Sequence, residues 1–118
     1  MEPAEIENRS FAVIESEVPE PRPFQGEEWL VVRRMIHTTA DFELLSLVRF
    51  HPEAVHIGVQ ALRKGCLIVT DTEMARMGIT ARRMERLGTR VECFINHPEV
   101  REKASKEKTT RSAAAVDY

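Results

Sequence analysis

The chain has 118 residues, a length that suits about one domain against the usual ~150 residues per domain. Its 17 basic and 19 acidic residues leave a formal net charge of −2, without the basic excess of a general nucleic-acid binder. Hydrophobic residues at 42% and charged residues at 31% argue for a globular domain over a disordered chain. No apolar run approaches the ~20 residues of a membrane span, because Trp29-Leu30-Val31-Val32 meets Arg33-Arg34 at once.

The acidic opening Met1-Glu2-Pro3-Ala4-Glu5 lacks the basic and then apolar order of a signal peptide. Cys66 and Cys93 show no spacing for a metal site or a disulfide framework. The expectation is a soluble cytoplasmic protein with reduced cysteines, no membrane and no nucleic acid. Residues 4–18 read as a first helix, with Pro3 at its start, Glu5 and Glu7 at the positive end of the dipole, and Phe11 and Ile14 on one face. Pro19, Pro21 and Pro23 force an extended connector, since each fixes its own φ and lacks a backbone donor. Residues 27–38 form a second helix with Trp29, Val32 and Ile36 along one stripe. Thr38 or Thr39 is expected to cap a short helix running to Leu45, with a strand over residues 47–50.

His51-Pro52-Glu53 opens a helix that carries Val55, Val59 and Leu62, and Gly65 is placed to end it. The continuous apolar run 66–70 suits a strand buried on both faces. Thr70 and Glu73 have capping-box spacing, so a helix is expected at the strand's end. Gly78 closes it, Thr80 opens the next, and Gly88 ends that one. Residues 91–95 form a third strand, and Asn96-His97-Pro98-Glu99 opens another helix. Residues 101–110 are charged and read as solvated or loop-like, before a last helix from Thr110. Strands alternating with helices predict an α/β fold around a parallel sheet.

Three places could carry chemistry. Arg33, His37 and Asp41 are spaced four apart, off the apolar stripe, and a histidine between opposite charges can be tuned to move protons near neutral pH. The bland alternative is a helix-end histidine satisfied by Thr38 or Thr39. No third ligand completes a metal site with His37 and Asp41. Asp71 directly follows the central strand, where ligands bind in open α/β sheets, although it could equally serve as a first-turn acid. Arg111 follows Thr109-Thr110 at a helix start and would suit a carboxylate or phosphate. Met74 and Met77 read as core, and His51, His56 and His97 as structural or exposed.

Ile6 with Ser10-Phe11 and Glu17 begin an ordered series of motifs. Val32-Arg33-Arg34-Met35-Ile36-His37-Thr38-Thr39-Ala40-Asp41 and Ala61-Leu62-Arg63-Lys64-Gly65-Cys66 continue it. Thr70-Asp71-Thr72-Glu73-Met74, Gly78-Ile79 and Thr110-Arg111-Ser112 complete it. Together these stretches resemble the precorrin-8X methylmutases, or cobalt-precorrin isomerases, of corrin biosynthesis. The resemblance implies a flavodoxin-like parallel sheet with flanking helices and a homodimer with sites near the subunit interface. It also implies a cofactor-free isomerisation. In that reaction a methyl group migrates between adjacent carbons of ring C, giving hydrogenobyrinic acid, or cobyrinic acid from the cobalt-containing substrate. By resemblance His37 is the catalytic proton donor. Arg33, Thr38, Asp71, Met74, Arg111 and Ser112 contact the tetrapyrrole substrate, with Arg111 on a peripheral carboxylate.

Family members continue past Val116-Asp117-Tyr118. Residues 1–118 are therefore expected to form one partial methylmutase-like domain, with helix and proline-rich connector in 1–26, whose sheet is incomplete at the C-terminal side and leaves an edge unpaired. A truncated product, a split enzyme completed by a companion chain, and a non-catalytic tetrapyrrole-binding or interaction domain all remain open at this point.

Overall fold

The computed structural model describes residues 2–118. The chain forms two compact units, one reaching His56 and one from Ile57 to Tyr118.

In the first unit, α1 (Pro3–Glu17) begins with a capping box in which the Glu2 backbone N–H donates to the Glu5 carboxylate at 2.9 Å. It packs on α2 (Gly26–Thr39). Phe11 and Ile14 of α1 meet Trp29, Val32 and Ile36 of α2, with Val18 and Phe24 closing the core, as the helical spacing predicts. Val32 and Ile36 are 0% and 1% exposed, so this seam is where the unit's apolar burial is most complete. The connector between the helices contains a cis Glu20–Pro21 peptide.

Two expectations fail in the stretch after α2. The hydroxyls of Thr38 and Thr39 donate backward to the carbonyls of Arg34 and Met35, so neither caps the next helix; Asp41 accepts from the Glu43 N–H instead. That helix, α3 (Leu44–Leu47), takes up the start of the expected strand over 47–50. Val48 and Phe50 then follow in irregular backbone and pack on the helical core, with Phe50 edge-on to Phe24 at 5.6 Å. Their apolar side chains find burial without a ladder partner.

The division between the units falls within α4 (Ala54–Arg63). The second unit continues with β1 (Leu67–Thr70), α5 (Glu73–Gly78), α6 (Ala81–Leu87), β2 (Arg90–Cys93), α7 (Pro98–Glu107) and α8 (Arg111–Val116). β1 and β2 pair in parallel, Leu67 opposite Arg90 and Thr70 opposite Cys93. Helices α5 and α6 lie in the crossover between them; α5 packs on both strands and α6 on β2. The sheet among the described residues has two strands and not the three expected.

Nor is β1 buried on both faces: Leu67 and Val69 are 45% and 52% exposed, while Ile68 and Thr70 are half-buried. An all-apolar strand needs a layer on each side, and here one face is uncovered. Thr72, and not Thr70, caps α5 by accepting from the Ala75 N–H at 3.1 Å. The Thr70 hydroxyl instead donates to the Thr72 carbonyl at 3.0 Å. Residues 101–107, expected to be loop-like, are helical. Val100 and Ala104 of α7 pack against Ala114 and Ala115 of α8, and the charges lie on the outward side. There Lys106 holds the Glu102 carboxyl below its usual range, and Glu102 raises the Lys106 ammonium in return, in the favourable Glu-before-Lys order.

The predicted glycine stops hold. Gly65 and Gly88 sit at φ of +73° and +65°, and a Cβ on Gly65 would lie 2.9 Å from the Gly88 carbonyl oxygen. Left-handed backbone and a backbone neighbour act together at this position. Gly65→Ala is therefore expected to destabilise the fold by about 1–3 kcal/mol. Urea unfolding would read this as a lower midpoint at unchanged slope. A loss within about 0.5 kcal/mol, the scale of ordinary surface substitutions, would show that neither constraint acts.

Candidate functional site

In the first unit the residues of interest lie beside the α1–α2 seam. The apolar stripe of α1 places Phe11 against α2, and Ser10 comes with it. Ser10 Oγ lies 2.7 Å from His37 Nδ1, and the Phe11 ring centre is 5.0 Å from the imidazole. The guanidinium carbons of Arg33 and Arg34 stand 4.2 Å and 4.7 Å from the Phe11 ring centre, within cation–π range. Both arginines are also ion-paired to α1, Arg33 with Glu15 and Arg34 with Glu7.

The expected series Arg33, His37, Asp41 does not assemble around the histidine. Arg33 turns to Phe11 and Glu15. Ala40 adopts a left-handed conformation at φ 54° and ends α2, which carries Asp41 off the helical face and into its turn. His37 takes Ser10 as its partner instead, a residue 27 positions away that the motif spacing within α2 could not reveal. Among the described residues Nε2 of His37 makes no hydrogen bond, so one nitrogen is tethered and the other is not. Thr38 is exposed, with its hydroxyl committed to the Arg34 carbonyl.

In the second unit a cleft of about 610 Å³ opens at the carboxyl end of β1, where open α/β sheets bind their ligands. Asp71 and Ser112 both line it, together with Thr70, Phe94 and Tyr118. Helix α8 supplies Ser112 because Thr110 caps its first turn, accepting from the Ala113 N–H at 3.1 Å. Arg111 is exposed and does not line the cleft; its guanidinium donates to Asn96 Oδ1 at 3.4 Å, the same oxygen that Arg101 reaches at 3.2 Å. In the sequence Asn96 reads only as part of a helix start. It is an acceptor that orients two arginines. Met74 and Met77, expected in the core, are 85% and 72% exposed on α5, because the short helix turns other residues to the strands. Met74 does not line the cleft. His97 bonds the Tyr118 hydroxyl at 3.2 Å.

The structure thus sorts the expected residues into two groups. Arg33, His37 and Thr38 belong to the first unit. Asp71, Met74, Arg111 and Ser112 belong to the second. No helix of the described residues is long and apolar enough to cross a membrane, and no group of three or more metal-ligating side chains comes together among them.

Known proteins resemble this chain along nearly its whole length. The cobalt-precorrin-8 methylmutase of Leptospira interrogans is 42% identical over 94% of this chain and 50% of its own length. That of Priestia megaterium is 38% identical over 98% of this chain and 51% of its own length. The crystal structure of a precorrin-8x methyl mutase from Thermus thermophilus superposes with a TM-score of 0.82 at 42% identity, covering 98% of this chain and 54% of that one. The mixed helix and strand architecture with a small parallel sheet is therefore that of a solved methylmutase, and the chain spans about half the length of the relatives it matches. Since the family model CbiC, precorrin-8X methylmutase, matches residues 5–118, the chain belongs to the precorrin-8X methylmutase family.

Proposed function

We propose that the chain is an isomerase, or the proton-donating part of one, that converts precorrin-8X to hydrogenobyrinic acid, or the cobalt-containing counterpart to cobyrinic acid, in cobalamin biosynthesis. The observation that carries this reading is His37, held through Nδ1 by Ser10 and packed against Phe11, with Nε2 unengaged. An imidazole so held can act as a general acid. Its Nε2–H protonates the macrocycle, the methyl group moves between adjacent carbons of ring C, and a proton returns to Nε2. Substrate and product are isomers, so the step needs no net oxidant or reductant.

The substrate class rests on the family match. A corrinoid carries several peripheral carboxylates, and a chain of net charge −2 meets them through local arginines. In this reading Asp71 and Ser112 bind within the cleft, Arg111 and Met74 meet the substrate outside it with Arg111 on one such carboxylate, and Arg33 and Thr38 bind near His37. In this reading both compact units belong to one methylmutase-like domain over residues 1–118, with a flavodoxin-like sheet, working as a cytoplasmic homodimer or with a companion chain.

A visible-absorbance titration with hydrogenobyrinic acid, beside a corrin-free dye, tests the proposal. Saturable binding followed by turnover of the substrate supports it. Binding without turnover makes the chain a tetrapyrrole-binding module. No binding by the folded chain excludes an isomerase acting alone and leaves a partial or non-catalytic relative whose site this chain does not complete. Arg111→Ala is expected to weaken binding by about 1.5–3 kcal/mol, the worth of a hydrogen bond to a charged group, with the exposed guanidinium favouring the lower end. Equal affinity in that variant would place Arg111 outside the site.

A further inference from the structure

The helix α1 presents Glu7, Phe11 and Glu15 at intervals of four, with Ser10 beside them, so all four share one face. That face receives Arg33, Arg34 and His37 of α2 through the contacts above. The result is a bed of stacked and ion-paired side chains beside the imidazole. Phe11 is buried, it carries a guanidinium from each arginine, and each arginine is anchored by a carboxylate of α1. Into this bed His37 sets its ring at 49° to Phe11 and its Nδ1 at 2.7 Å from Ser10 Oγ, a short contact for a nitrogen–oxygen hydrogen bond.

We infer that Ser10 is a positioning residue for His37, its hydroxyl oxygen accepting the Nδ1 proton so that Nε2 is the nitrogen that gives and takes back the proton. The inference rests on His37 being the proton donor. A neutral imidazole carries one donor and one acceptor nitrogen, and the partner of one nitrogen decides the role of the other. With Nδ1–H directed at Ser10 Oγ, the bond persists in both the protonated and the neutral ring. The Nε2 proton alone then moves to the substrate and returns. Were Ser10 to donate to Nδ1 instead, neutral His37 would keep its proton on Nε2 and could not take one back there.

Long-range proton–nitrogen NMR spectra of the full chain, taken where the imidazole is neutral, read the tautomer directly. The Nδ1–H tautomer is expected for the unaltered chain and for Ser10→Thr, which keeps the hydroxyl, and its loss is expected in Ser10→Ala. An Nε2–H tautomer in the unaltered chain, or spectra that do not change in Ser10→Ala, would overturn the inference. In turnover, Ser10→Ala is expected to lower kcat about tenfold at unchanged KM, as loss of one hydrogen bond in the transition state would, with Ser10→Thr restoring it. The two failures separate cleanly. Turnover surviving in His37→Ala defeats the proton-donor reading. Turnover lost in His37→Ala while Ser10→Ala keeps both tautomer and kcat defeats the role of Ser10 alone.

Discussion

His37→Ala is expected to lower methylmutase turnover by about 10²- to 10⁴-fold, the contribution typical of one general acid, while leaving affinity for hydrogenobyrinic acid largely intact. The geometry explains why the two quantities should part. His37 is half-buried at the rim of the α1–α2 seam and outside the apolar stripe, so its removal leaves Phe11, Ile14, Trp29, Val32 and Ile36 packed. Phe11 keeps both guanidinium neighbours, and Ser10, also half-buried, can turn its hydroxyl to water. The product has already undergone the methyl shift and does not call on the transferred proton, so its binding reports the rest of the site. A fall in kcat with little change in product binding would mark an interaction made in the transition state. Unchanged turnover in His37→Ala would remove the residue from the mechanism.

The largest expected effect on stability comes one residue earlier. Ile36 is 1% exposed in the centre of the first core, and Ile36→Ala is expected to cost about 2–5 kcal/mol through lost burial and the cavity left behind. Such a loss approaches half the stability of an ordinary domain, about 5–15 kcal/mol, and should be plain in a denaturant titration. Met74→Ala supplies the contrast. At 85% exposed it should stay within about 0.5 kcal/mol, although a reading from hydrophobicity alone would put it in the core. A small loss in Ile36→Ala would mean that the α1–α2 seam relaxes to fill the cavity, and that the bed beneath His37 is softer than its contacts imply.

These two adjacent residues also divide what was legible beforehand from what was not. Ile36 belongs to a stripe whose period is that of one helix, so its burial could be read from residues a turn apart. The partner of His37 sits 27 positions away, and the nearer charges at four-residue spacing pointed to a different arrangement. Local chemistry was similarly readable where it stayed local. Thr80 and Gly88 bound α6, Gly65 ends its helix in a left-handed turn, and Thr110 caps α8. It misled at Thr70, where two threonines compete for one helix start and the strand's geometry gives the cap to Thr72.

Residues close together along the chain, or their order in it, set the α1–α2 stripe, the glycine stops, the strand that ends at Thr70 and the ordered motifs of the methylmutase family. The helix over 101–107 and the outward face of α5 were not legible there. Tertiary structure decided the rest. It paired Ser10 with His37, turned Arg33 and Arg34 onto Phe11 and their carboxylates, drew Asp71 and Ser112 to one cleft, and left the Leu67/Val69 face of β1 open. Each of those outcomes is a choice among distant partners. Burial, charge and hydrogen bonding settle it only once the helices have packed.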